Sequence, residues 1–188
     1  MAKAFSEQER KVINEKLIAA CEECWNLYGY PKTNIRDLCS KAGISSGAFY
    51  LFYKSKELLF VETAITAIKR LASIIDQNMP PANPAKQDLA RAFKIMAKKI
   101  AKAKWLLSLE DTFEVFRRRL PPETFKDFID LYSFQVEKYQ FSPKVSHRVG
   151  NAALGALITL RLNPKMSGKD YDKAYELIVD STIDRLFA

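Results

Sequence analysis

Apolar positions recur every three or four residues along nearly the whole chain, the spacing of helices and not the alternation of strands. In the first segment Ile13, Leu17, Ala20, Cys21, Cys24 and Tyr28 form one such face, with Trp25 beside it. Ser6 and Glu9 make a capping box at its start, and Gly29 and Pro31 stop it. Two short helices are predicted next, Thr33 to Ala42 ended by Gly43, and Ser45 to Tyr53. A long one runs from Lys56 to Gln77 with Leu58, Leu59, Ala64, Ile65, Ile68, Leu71 and Ile75 in register. Residues 78–86, NMPPANPAK, hold three prolines and break the pattern. Beyond them the spacing predicts helices over 87–104, 105–119, 122–139, 144–162 and 168–187, the last opened by a Ser167-x-x-Asp170 cap. No alternating Val, Ile and Thr run or Asn-Gly turn competes with this reading. The expectation is an all-α chain of nine helices.

One predicted helix lacks a polar face. Val149–Leu160 reads VGNAALGALITL, and a helix that is apolar all round must be covered on both sides. The chain's own core supplies one side. A second copy of the chain is the simplest source of the other, with Ala152, Gly155, Ala156 and, on the final helix, Ile178 at the contact. A central core helix is the alternative.

Composition narrows the chemistry. The chain has 188 residues and a net charge of +8, enough for one full core or a small module joined to a larger one. Its six glycines form no G-x-G-x-x-G, and no G-K-[ST] marks a P-loop. The single histidine, His147, excludes chemistry that needs a pair, and Glu110 and Asp111 are neighbours that project about 100° apart on a helix. No enzyme activity, cofactor or metal is expected. No apolar run approaches the ~18 residues of a membrane span. The start, MAKAFSEQERK, is charged where a signal peptide is apolar, so the expectation is a cytoplasmic protein with no membrane partner. Three cysteines suit a reducing compartment. The C-x-x-C of Cys21 and Cys24 lies inside a helical pattern and reads as small apolar core residues, with a redox pair as the alternative.

Residues 33–56, TNIRDLCSKAGISSGAFYLFYKSK, set two short helices around a glycine turn, the helix-turn-helix layout. Thr33 is expected to cap the first helix and touch a phosphate, with Leu38, Cys39 and Ala42 facing inward. Gly43 supplies a positive φ, Ile44 plugs the corner, Ser45 caps the second helix, and Phe49 and Tyr53 anchor it. Ser46, Gly47, Ala48, Tyr50 and Leu51 then point outward. Small residues there allow close approach to a major groove, and Tyr50 can reach a phosphate. Arg36 is the one long donor placed to read a guanine. Lys54 and Lys56 gather positive charge at the start of the next helix.

Over its first 60 residues the chain resembles the DNA-binding domain of TetR-type transcriptional regulators. The pieces that match are LIAACEECWNLYGY, TNIRDLCSKAGIS and SGAFYLFYKSKELL. The resemblance implies a three-helix DNA-binding domain, placed at 1–55, and a helical ligand-binding and dimerisation domain at 56–188. It implies a homodimer on a pseudo-palindromic duplex operator, usually a repressor, released by a small-molecule effector. Where the family commonly has Tyr-Phe ahead of the Lys-x-Lys segment this chain has Phe52–Tyr53, so Phe52 offers no hydroxyl to a phosphate.

The aromatics of the second domain suggest the nature of that effector. Trp105, Phe113, Phe116, Phe125, Phe128, Tyr132 and Phe134 crowd a short stretch. They either pack as core or line a largely apolar pocket, with Trp105, Phe113, Phe116 and Phe128 as walls and Ser108, Thr112 and Tyr132 as polar contacts. Charge adds little to the location of DNA binding: residues 1–60 hold nine Lys and Arg against seven Asp and Glu. The basic run Arg91, Lys94, Lys98, Lys99, Lys102 and Lys104 reads as a solvated helix face or a contact for an acidic partner. A helical protein-interaction adaptor without DNA binding is the alternative function. It would not require the small-residue, Tyr- and Lys-flanked third helix.

Overall fold

The computed structural model describes residues 5–79, 85–107, 109–132, 141–162 and 168–187. Among them every regular element is a helix: α1 (Glu7–Lys32), α2 (Ile35–Ala42), α3 (Ser46–Phe49), α4 (Lys56–Gln77), α5 (Lys86–Ile100), α6 (Lys104–Leu107), α7 (Leu109–Arg119), α8 (Pro122–Tyr132), α9 (His147–Leu162) and α10 (Lys169–Leu186). The helix expected over 105–119 is described as helical over 104–107 and 109–119, and Ser108 between them lies outside the described residues. The expected cap at Ser167 and the extension of α8 to 139 lie outside the described residues.

Local sequence accounts for the ends of these helices. Ser6 Oγ accepts from the Glu9 amide at 3.2 Å, while the Glu9 carboxylate accepts from the Ser6 amide at 2.8 Å. Gly29 takes φ 74° and ψ 167° near the end of α1 and breaks its regularity there. The buried face of α1 runs through Leu17, Ile18, Cys21, Cys24 and Trp25 and, after the break, Tyr30. Tyr28, expected on that face, is instead 52% exposed. The face centres on Cys21 and Trp25, and the turn at Gly29 hands the next inward position to Tyr30.

The chain forms two compact units, Met1–Thr66 with Ser108–Phe128, and Ala67–Leu107 with Ile129–Ala188. Set beside the division at residue 55, the first unit also takes in 56–66 and the 108–128 segment. Its core is aromatic. Trp25 and Tyr30 lie 4.6 and 4.9 Å from Phe60 between ring centres, Phe116 is 5.9 Å from Tyr30, and Phe128 is 6.0 Å from Phe116. Such pairs add to the area that they bury.

In the second unit α5 packs on α9 and α10, burying Leu89, Phe93, Met96, Leu154, Leu157, Val179 and Ile183. Part of the basic run on α5 meets acids of α10: Lys94 with Asp180 at 2.6 Å and Lys98 with Glu176 at 3.7 Å, beside Lys86 with Asp184 at 2.5 Å. These exposed pairs set register more than stability. Arg161 is the exception, nearly buried, donating to the Ala97 carbonyl at 3.2 Å and to Asp172 at 2.7 Å.

Candidate nucleic-acid interface

The turn between α2 and α3 is built by one glycine and one serine. Gly43 sits at φ 75° and ψ 33°, left-handed backbone that a side chain would strain, and its amide closes α2. Ser45 Oγ accepts from the Ala48 amide at 3.1 Å and opens α3. Leu38, Cys39, Ala42 and Phe49 are buried, as the spacing predicts, and Tyr53 is half-buried. Outside stand Ser46 and Gly47, with Ala48 half-buried, Tyr50 58% exposed and Leu51 53% exposed. Arg36 and Lys54 are exposed as well. A short helix thus carries small side chains at its front and a tyrosine at its back, both open to a groove-shaped partner.

Two expected roles change. The side-chain cap of α2 is Asn34, whose Oδ1 accepts from the Asp37 amide at 2.9 Å. Thr33 is 1% exposed and turns its hydroxyl back to the Gly29 carbonyl at 2.9 Å, so it closes α1 and does not open α2. The Thr33 amide donates to the same carbonyl at 3.2 Å, so both donors of Thr33 serve the end of α1. Lys56 is half-buried, and its ammonium donates to the Tyr30 and Thr33 carbonyls at 3.1 and 2.8 Å while lying 4.2 Å from the Tyr30 ring centre. Burial lowers its pKa. The geometry therefore gives Lys56 a seam to hold, between the end of α1 and the start of α4.

Beside that seam Glu57 is 7% exposed and accepts from Tyr30 Oη at 2.6 Å and from Arg119 Nη1 at 2.8 Å. Burial alone would raise its pKa, but the donors from Tyr30 and Arg119 outweigh this and hold it at about 2. Neither Arg119 nor Asn34 stands out in the sequence, since a polar residue at a helix end is ordinary and its partner is settled only on folding.

The thiols are poorly placed for redox chemistry. Cys21, Cys24 and Cys39 are all free and buried, and burial pushes the Cys21 thiol up to about 12. A thiolate, not a thiol, is the reactive species.

The remaining expected site residues are spread over the chain. Phe116 and Phe128 are closed into the aromatic core of the first unit, with Phe113 5.7 Å from Phe128. The buried Thr112 donates its hydroxyl to the Leu109 carbonyl at 2.7 Å. Trp105 is buried in the second unit, and Ser108 and the side chain of Tyr132 lie outside the described residues. On α9 Ala152 and Ala156 are exposed and Gly155 is half-buried. Val149 is 59% exposed and, on α10, Leu177 and Ile178 are 71% and 42% exposed. No cluster of metal-binding side chains occurs among the described residues, and no described helix is long and apolar enough to cross a membrane.

Residues 17–63 match the family described as bacterial regulatory proteins, tetR family. Over 76 residues the chain is 29% identical to YhgD of Bacillus subtilis (strain 168), an uncharacterized HTH-type transcriptional regulator. That match spans 40% of this chain and 40% of the relative. The fatty acid degradation regulator FadR from Bacillus halodurans has the same fold, with a TM-score of 0.69 at 16% identity over 96% of this chain and 97% of that one. RolR, solved with the ligand resorcinol, superposes with a TM-score of 0.52 at 16% identity, over 97% of this chain and 98% of its own.

Proposed function

We propose that this chain, whose N-terminal domain is that of the tetR family of bacterial regulatory proteins, regulates transcription by seating α3 in the major groove of duplex DNA. The observation that carries the reading is the turn itself: a left-handed Gly43, a Ser45 cap, and a following helix that leaves Ser46, Gly47 and Tyr50 exposed, with Ala48 half-buried among them. Tyr50 and Lys54 lie against phosphates. Arg36, Ser46 and Ala48 bear on sequence choice, by a hydrogen bond to a base edge or a methyl contact to thymine. Thr33 and Lys56 act from behind, by fixing the carbonyl ends of α1 against α4. The protein works without catalysis.

Binding to a pool of random duplex, followed by fluorescence anisotropy, is expected to weaken at least tenfold between about 50 and 200 mM salt, as phosphate neutralisation requires. Salt-independent binding, or none, sinks the reading. Arg36→Ala is expected to cost about 1–3 kcal/mol on a selected operator and to relax preference at one base position. Equal losses on operator and random DNA would move Arg36 to the phosphate group.

The active form is a symmetric homodimer joined through α9 and α10, which requires a pseudo-palindromic operator. The exposed Val149, Ala152 and Ala156, spaced along one face of α9, and the exposed Ile178 on α10 support it. The regulator represses, and a small, largely apolar effector releases it. Two likenesses of fold support an effector of that kind, one to a regulator of fatty acid degradation and one to a protein solved with resorcinol. So does Tyr175, whose buried hydroxyl has no hydrogen-bond partner among the described residues of the second unit.

A further inference from the structure

We infer that Arg10, on the first turn of α1 and outside the segment that matches the family, belongs to the DNA-contacting surface, where it clamps the back of α3 and presents its charge to a phosphate. The inference rests on the DNA-binding reading above and adds a residue to it. α3 is only one turn long, so something beyond its own hydrogen bonds must hold it. Three contacts from α1 and from Phe5, just ahead of its cap, do so. Tyr53 Oη donates to Asn14 Oδ1 at 2.5 Å, Phe5 lies 5.6 Å from Phe52 between ring centres, and Arg10 Nη2 donates to the Leu51 carbonyl at 2.8 Å. The Arg10 guanidinium also lies over the Phe52 ring, 4.9 Å from its centre.

The last of these contacts has a chemistry the others lack. Phe52 has no polar atom and Tyr53 has turned its hydroxyl inward, so neither aromatic offers a donor at this end of α3. A guanidinium carries five N–H groups, and the Leu51 carbonyl takes one. Arg10 is exposed, and the acidic residue next to it, Glu9, is held by Ser6 at 2.8 Å. A fixed, charged, donor-rich plane therefore stands one residue from Tyr50, the side chain placed against the backbone. Planar forks of this kind match phosphate oxygens.

The test separates clamp from charge. Arg10→Gln keeps an N–H donor on a shorter arm but removes the charge, and Arg10→Lys keeps the charge but loses the fork. Each is titrated with random duplex across the same salt range as the wild-type protein, and its melting temperature is measured alongside. Arg10→Gln is expected to weaken binding about three- to tenfold on every sequence and to flatten the salt slope by about one for each phosphate contact removed. Arg10→Lys is expected to keep the slope. An Arg10→Gln slope equal to that of the wild-type protein, whatever its affinity or melting temperature, overturns the inference while leaving the DNA-binding reading in place. A wild-type protein without salt-dependent binding overturns that reading instead.

Discussion

Gly155→Arg is expected to give a folded monomer whose affinity for its operator falls a hundredfold or more. Within the protomer the first atom of the new side chain has room, because a Cβ at Gly155 meets no described atom within 4 Å. Arginine is also a better helix former than glycine by about 1 kcal/mol, so α9 itself gains. The damage is then expected at the contact with a second copy. In a two-fold interface every residue appears twice, and two guanidinium groups driven into an apolar contact between small residues each lose their water without a partner. Without the dimer, the two recognition helices no longer share one effective concentration, and avidity of about 10²–10⁴ disappears. Light scattering reports the mass, and anisotropy on an operator selected from random duplex reports the affinity. A variant that remains dimeric removes α9 from the interface.

Glu57→Gln is expected to lower stability at neutral pH by up to about 3 kcal/mol and to erase one step of acid denaturation. Glu57 goes from an ordinary value of 4.5 to about 2 on folding, and each unit of such a shift corresponds to about 1.4 kcal/mol. A depressed carboxylate stabilises fully above its unfolded value and loses that contribution as the pH falls toward its folded value. For Glu57 the loss lies between 4.5 and about 2. Urea midpoints measured from pH 7 down to pH 2.5 should therefore converge, the wild-type protein descending to meet the variant. Curves that stay parallel would show that Tyr30 and Arg119 do not act through the charge.

How far these features are legible in the chain depends on their range. Ser6 with Glu9, Gly43 and Ser45 act on residues three or four positions away, and such caps are visible in the sequence as local patterns. The inward set of Leu38, Cys39, Ala42 and Phe49 follows from helical period alone. The exchange between Thr33 and Asn34 is not legible, because both are good capping residues and the choice turns on how the chain bends at Gly29, which brings the Gly29 carbonyl to the Thr33 hydroxyl. Arg10 reaches Leu51 across 41 residues and Arg119 reaches Glu57 across 62. No periodicity records a partner at that distance. The outward residues of α3 could be read because a helix one turn long, pinned by Phe49, has only one way to face.

The Arg119 contact bears on how the protein is made. The first compact unit is assembled from two stretches of chain, with residues 67–107 of the other unit between them. During synthesis the three helices around the turn leave the ribosome well before α7 and α8 exist. For that interval Trp25 and Tyr30 lack the ring of Phe116, and Glu57 lacks its guanidinium. At about 5–20 residues per second the wait lasts several seconds, with an aromatic face open to other nascent chains. The helices around the turn are thus translated first, yet the core behind them closes only after α7 has emerged.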